Sequence, residues 1–474
     1  MSRIIVWFRN DLRLHDNELL QKCIDKGAEI LPVFCFDIRQ FQNNFLGFPK
    51  TDSFRTRFLI ESVRDLKTNL QKIGGNLLVC VGNPENIIPD LALKYKIKSV
   101  LISAEVTQEE INTENIIEQK LLENKIELNK FWQSTLYHIQ DLSYPIKNLP
   151  DVFTQFRKGA EALVKVRKTF VSPTKISLIP AIENWGNIPS EQDLGIFPIQ
   201  TNQKQALNFK GGETAGKDRL ADYLWNTNHI SNYKETRNEL LGENYSSKFS
   251  AWLALGCLSP RYIYEEIIKY EKEKIKNDST YWLIFELIWR DYFRFVAKKY
   301  GNKIFQLEGI KPKPNLKWNE NKIWFEQWKN GNTGIPFIDA NMRELNQTGF
   351  MSNRGRQNVA SFLTKDLKIN WTWGAAYFES KLIDYDVCSN WGNWIYIAGV
   401  GNDPREDRYF NILVQGKRYD EKGKYIKYWL PELEKVNDKF IHLLQLDMFQ
   451  QKEFGVNIGK NYPNPMINPM KWER

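Results

Sequence analysis

Apolar and polar positions fall into two regimes along the chain. In the first 131 residues, short continuous apolar runs alternate with stretches of helical spacing. The runs at 4–8, 30–36, 76–81 and 100–103 are too short for buried helices and read as strands, with 126–131 a weaker fifth. Between them, 17–26, 53–73, 84–95 and 108–123 carry apolar residues at helical intervals. The first two end at Gly27 and at Gly74-Gly75, where a helix commonly stops. Strands alternating with helices predict an α/β domain, a doubly wound parallel sheet with helices on both faces. It is expected over residues 1–133.

From 134 to 205 the periodicity fades. Pro145, Pro150, Pro173, Pro180, Pro189 and Pro198 punctuate the stretch, which reads as an extended connector with helical turns around 152–170. Beyond it the helical period takes over. Gly211-Gly212-Glu213-Thr214 opens a helix through Trp225, and Leu258-Ser259-Pro260 opens another through Tyr270, with serine as cap and proline in the first turn. Further helices are predicted at 281–300, 335–347, 359–367 and 373–382. The expected fold is therefore a smaller α/β domain joined to a larger all-helical domain, residues 206–474. Such a domain usually holds its ligand between helices.

Composition narrows the chemistry. A chain of 474 residues is too long for one core. The net charge of +9 is compatible with a polyanionic partner without naming one. The 16 tryptophans and 14% aromatic content suit chemistry that needs stacking. The five cysteines are scattered, with no C-x-x-C spacing, so neither a disulfide framework nor a metal or iron–sulfur site is indicated. No apolar run approaches the roughly 18 residues of a membrane span. Strand-like sequence follows Arg3 at once, leaving no signal or transit peptide, and a cytoplasmic location is expected. No G-x-G-x-x-G follows the first strand, so the usual dinucleotide fingerprint is missing. Arg9, Asn10, Asp11 and Arg13 at that strand's end suit either a ligand loop or a local ion-paired turn, the second being preferred.

Three clusters carry candidate chemistry. In 371–401, Asp384 and Asp386 flank a tyrosine, with Asn390, Trp391 and Trp394 close behind. Buried carboxylates and amides need hydrogen-bond partners. The segment is therefore either a seat for a planar polar cofactor or an aromatic core beside surface acids. The run Asn244-Tyr245-Ser246-Ser247-Lys248-Phe249-Ser250 places hydroxyls and an ammonium before an apolar helix, which suits phosphate or plain capping. On 281–300, Glu286, Trp289 and Phe293 share one face, and a carboxylate in an aromatic stripe is costly without a partner.

LIDYDVCSNWGNW, GFMSNRGRQNVASFL, NYSSKFSAWLALGCLSPR and the opening IIVWFRNDLRLHDN together resemble the photolyase/cryptochrome superfamily. YSSKFSAWLALGCLSPR and FELIWRDYFRF resemble its DASH cryptochrome branch. The resemblance runs, in family order, to about Pro431. It implies an FAD site made of Tyr233, Ser246, Ser247, Lys248, Phe249, Ser250, Asn353, Arg356, Asp384, Asp386 and Asn390. Asn390 would face flavin N5, where an acid can release a proton and an amide can only hydrogen-bond. Trp394, Trp371 and Trp318 match an electron relay to the surface. Glu286 and Trp289 match the acid and the ring that meet a pyrimidine dimer, and Asn353 and Arg354 match DNA-facing positions. Arg290 fits a core ion pair better than a phosphate. Gln357 and Tyr396 depart from the methionine and tryptophan of ordinary photolyases, giving a less greasy pocket. A folate antenna (5,10-methenyltetrahydrofolate) is possible for the family. Glu61 looks like the acid that DASH members use for it, though a solvated helix face explains Glu61 equally well. The Glu105 stretch departs from the folate-type Asn-Glu pair.

The function so implied is a DASH-type cryptochrome. It would repair cyclobutane pyrimidine dimers, mainly in single-stranded DNA, by electron transfer from excited reduced FAD: a deoxyribodipyrimidine photo-lyase acting as a monomer. The rival is a blue-light photoreceptor that binds DNA or protein partners without useful repair. None of the four histidines falls between Asn353 and Asn393, which disfavours the (6-4) class of repair.

Overall fold

The computed structural model describes residues 2–200, 202–405 and 408–473. Five parallel strands, β1 (Arg3–Phe8), β2 (Glu29–Phe36), β3 (Leu78–Val81), β4 (Ser99–Ser103) and β5 (Glu127–Phe131), lie in the order β3-β2-β1-β4-β5. A two-residue β6 (Ser177–Leu178) pairs with the start of β2. β1 is buried from Ile4 to Phe8, as a central parallel strand covered on both faces must be. β5 is an edge strand with mixed exposure, which is why its sequence signal is the weakest. The crossovers run through α1 (Glu18–Asp25), α2 (Ser53–Lys72), α3 (Pro84–Lys94) and α4 (Gln108–Leu122). The strand order reverses at β1, with β2 on one side and β4 on the other, so the carboxyl ends of β1 and β4 form the crevice where such sheets bind ligands.

The following stretch carries α5 (Phe153–Leu163). Helices α6 (Glu213–Ala221), α7 (Tyr233–Thr236), α8 (Ser250–Ala254), α9 (Pro260–Glu273), α10 (Asp278–Tyr300), α11 (Lys322–Lys329), α12 (Pro336–Thr348), α13 (Asn353–Ser361), α14 (Trp371–Lys381), α15 (Val387–Ala398), α16 (Ile412–Tyr419), α17 (Lys424–Trp429) and α18 (Met448–Phe454) build the helical part. α10 starts three residues before the expected 281 because Asn277 and Thr280 form a capping box. α13 starts at Asn353 rather than 359. Its first turns are the polar run NRGRQN, and the Ser352 side chain accepts from Gly355 N. α6 and α13 both run into a π turn, Asp222–Asn226 and Phe362–Asp366.

The loop after β1 clasps the two parts together. Arg13 is buried and donates to the backbone oxygens of His15, Asp16, Gln133 and Gly256. Asp16 pairs with Arg261 at 2.6 Å, His15 Nδ1 meets Glu213 Oε1 at 2.8 Å, and Leu12 N donates to Leu255 O. Gly256 has φ +63°, and a Cβ there would fall 2.0 Å from Asn10 O. The preferred reading of this loop, a local ion-paired turn, does not hold for Arg9 and Asp11: Asp11 accepts from the Arg9 backbone N–H, Ser103 Oγ and Gln133 Nε2, while the Arg9 guanidinium pairs with Glu114 of α4. Arg13 is interdomain mortar instead. No helix among the described residues is long and apolar enough to cross a membrane.

Candidate functional site

The strap between α14 and α15 carries the two acids. Arg356, on α13, donates from Nη2 to both Asp384 oxygens at 3.0 and 2.8 Å, and its Nε bonds Met351 O. The Asp384 side chain is 2% exposed, so the guanidinium is the partner its burial requires. Asp386 caps α15 by accepting from Ser389 N at 2.8 Å. Burial would raise its pKa, but Arg290, Arg294 and the Ser389 N–H hold it below the usual carboxylate range. Asn390 follows one turn on and donates Nδ2 to Ala375 O. With Asn353, Gln357 and Trp394 these residues line a recess between α13, α14 and α15. It encloses about 100 Å³, and about 580 Å³ of unfilled space with its mouth counted.

The loop before α8 is gripped by a residue that sequence reasoning missed. Arg219 donates to the Ser247, Ser246 and Glu243 oxygens and to Asn244 Oδ1. Only the capping-like density of backbone oxygens around it, invisible in sequence, marks its role. Ser247, Lys248 and Phe249 are buried, Ser246 is half-buried and Ser250 is exposed. The Lys248 ammonium does not reach outward as expected. It donates to Glu243 O at 2.7 Å, lies 3.5 Å from the Tyr245 ring centroid, and burial lowers its pKa to about 7. Its expected role as a phosphate-holding charge is corrected to that of a loop brace. Tyr233 is buried on α7, against α10. A buried Tyr245 hydroxyl without a partner, an arginine-paired acid, an amide and a hydroxyl-rich loop together form a donor set that fits FAD.

The tryptophans grade from inside to outside. Trp394 is 2% exposed, edge-on to Phe378 and Trp328, and Gly374 of α14 makes room for its ring. Trp371 is fully buried and donates to Leu307 O. Trp318 is half-buried, and its neighbour Asn319 exchanges backbone hydrogen bonds with Lys368 and Asn370, which brings Trp318 beside the start of α14.

On α10, Glu286 has the partner that its aromatic surroundings demand: the Arg237 guanidinium at the end of α7. Burial raises the Glu286 pKa, and Arg237 opposes the rise. Phe153 covers one face of Trp289 at 3.6 Å between centroids, and Tyr396 meets Trp289 edge-on at 6.0 Å. Phe293 completes the stripe at 5.4 Å from Trp289. Arg290 donates to Ser134 O and Leu253 O and lies 3.6 Å from Asp386, the core role expected of it. Arg354 bonds Gln357 Oε1 and Asn238 Oδ1, both at 2.9 Å. Asn353 is exposed at the start of α13. Tyr396 is bonded by Arg408.

A second cavity, about 600 Å³, opens at the carboxyl ends of β1 and β2, between Trp7, Phe34 and Phe36 and the far wall of Arg290, Tyr385 and Asp386. Tyr385 and Asp386 line both cavities. Glu61 does not line this cavity. Its carboxylate accepts from Gly211 N at 2.8 Å, so the antenna assignment is corrected: Glu61 anchors the turn that opens α6. Glu105 lines the cavity but is paired with Arg294 at 2.5 Å.

Comparison with known proteins agrees with this architecture. Residues 4–174 match the DNA photolyase family, and residues 282–474 match the FAD binding domain of DNA photolyase. A cryptochrome DASH of Synechocystis is 51% identical over 468 residues, covering 98% of this chain and 95% of the relative. One of Xenopus laevis is 49% identical, covering 100% and 91%. The crystal structure of a Synechocystis cryptochrome superposes with TM-score 0.97 at 50% identity, covering 100% of this chain and 98% of that one. An archaeal photolyase from Sulfolobus tokodaii, described with two FAD molecules, superposes at 0.79 and 30% identity, covering 99% and 97%. The chain belongs to the photolyase/cryptochrome superfamily, and its cofactor is FAD. Within the superfamily it falls in the DASH cryptochrome branch.

Proposed function

We propose that this chain, as a monomer, is a light-driven lyase that splits cyclobutane pyrimidine dimers, mainly in single-stranded DNA. The observation that carries the reading is Glu286 and Trp289 on one face of α10, joined through Arg237, Asn238 and Arg354 to Gln357 at the recess proposed for the flavin. FAD, when bound, reduced and excited, supplies the electron that opens the cyclobutane ring and receives it back. Arg356 and Asp384 would fix the flavin edge, Asp386 its ribose, and Tyr233 would close over it. Ser246, Ser247, Phe249 and Ser250 would seat the pyrophosphate on the loop held by Arg219. The Asn390 amide would hydrogen-bond flavin N5 with no proton of its own to give up. Glu286 would hydrogen-bond the extruded bases, and Trp289 would support them by stacking. Asn353 and Arg354 would face the strand. Trp394, Trp371 and Trp318 would relay electrons inward from a reductant at the surface when the cofactor starts out oxidised.

The single-strand preference follows from the pocket's polarity. Gln357 and Tyr396 are both tied to arginines, where a greasier pocket would reward entry of two stacked bases. Base–aromatic stacking is worth about 1–3 kcal/mol per base, while unstacking from a duplex costs a few kcal/mol. A partial loss on one side therefore excludes duplex lesions first. The 600 Å³ cavity is the proposed antenna seat, for a folate or another planar chromophore, without Glu61.

The test is turnover under blue light on dimer-containing single-stranded and duplex DNA, with Glu286→Ala beside the wild type. Single strands should be repaired, duplexes poorly, and Glu286→Ala should lose at least tenfold. No splitting of either substrate returns the protein to the photoreceptor class.

A further inference from the structure

The ion pair on Glu286 bears on the proposed role of that acid, because the oxygen engaged by Arg237 Nη1 is not free to meet a substrate. Arg237 sits between two demands. Its guanidinium contacts Glu286 and lies 5.4 Å from the Trp282 ring centroid. Tyr233, on the same short helix, also faces it. The next residue, Asn238, accepts from Arg354, whose other arm holds Gln357 at the flavin recess. Arg237 and Arg354 thus stand near enough for their charges to repel. The Arg237 side chain is 20% exposed and that of Glu286 31%, so both can be reached from outside.

We propose that Arg237 is an exchange partner: it covers Glu286 while no DNA is bound, and on binding it transfers to a backbone phosphate of the strand, leaving the Glu286 carboxyl to the extruded bases. This inference rests on the lyase reading and assigns a positioning residue to it. The chemistry is a substitution of anions. Arginine prefers planar bidentate oxyanions, and a phosphate matches that geometry as well as a carboxylate does. No bond is made or broken, and the charge on Arg237 is neutralised before and after. The substrate-free enzyme is thereby spared an unpaired carboxylate among aromatic rings. The acid becomes available only when a strand is present to replace its partner.

Removing the acid should therefore help DNA that carries no lesion. Glu286→Gln frees Arg237, and binding of an undamaged single-stranded oligonucleotide, followed by fluorescence anisotropy, should tighten about threefold or more. Arg237→Gln should weaken both damaged and undamaged strands and lower the salt slope of log K by about 0.7, the value of one lost phosphate contact on a single strand. Arg237→Lys should keep most of that slope. In the double variant the gain from Glu286→Gln should vanish. A merely structural role for Arg237 predicts no gain from Glu286→Gln and an unchanged salt slope, and either result overturns the exchange. Dimer splitting is read separately. Its absence alongside the full exchange signature sinks the repair reading alone, and splitting without that signature sinks the exchange alone.

Discussion

At the scale of single residues, the site is governed by which partner each buried charge has. Asp384 is nearly inaccessible and depends on Arg356. Arg356→Ala should strand that carboxylate, lower thermal stability toward the low end of about 3–5 kcal/mol, and reduce bound flavin. Differential scanning fluorimetry and the flavin-to-protein absorbance ratio check this, and Arg356→Lys should recover part of both. The sequence pattern made Asp384, Asp386, Asn390 and Glu286 legible, because carboxylates and amides inside aromatic runs are conspicuous. It did not reveal Arg219 or Arg237, nor the inward turn of Lys248. Long cationic side chains choose among partners brought in by other elements, and nothing local records the choice.

At the scale of elements, the α/β strands and helices were legible nearly to the residue, since buried parallel strands and capped helices announce themselves locally. α13 and α15 were harder. The polar face of α13 serves the recess, and α15 mixes tryptophan, glycine and asparagine at positions set by cofactor space rather than by helical period. Gly374 shows the constraint. A Cβ there would fall 2.2 Å from the Trp394 ring and 2.7 Å from Leu363. Gly374→Ala should therefore cost about 1–3 kcal/mol through overpacking, shift Trp394, and slow flavin photoreduction measured by absorbance under blue light. An alanine variant that photoreduces at the native rate would remove Trp394 from the relay.

At the scale of the whole molecule, the two parts share one apolar core and are clasped by buried polar groups. Glu213, at the start of α6, is one pH-sensitive member of the set. Burial alone would raise its pKa, but the hydrogen bond from His15, with Lys217 nearby, holds it at about 2. A lowered carboxylate pKa stabilises fully above the unfolded value near 4.5, and that stabilisation is lost as pH falls from there toward 2. Burial also lowers the His15 pKa, which erodes stability in the same direction, starting below its unfolded value near 6.5. Glu213→Gln should melt earlier than wild type at pH 7, by on the order of 3 kcal/mol, and the gap should close only as pH falls to about 2. Melting curves across that range read the difference directly.

The strap residues Tyr385 and Asp386 face both hollows, so whatever lodges in one presses on a partition belonging to the other. Any occupant that displaces the partition must alter its neighbour's grip, and the neighbour must return the effect by the same factor. Were a planar guest to lodge in the larger hollow, its loading and that of the flavin would then not be independent events. Their order of addition leaves the final state untouched, but the second guest meets a host already reshaped by the first.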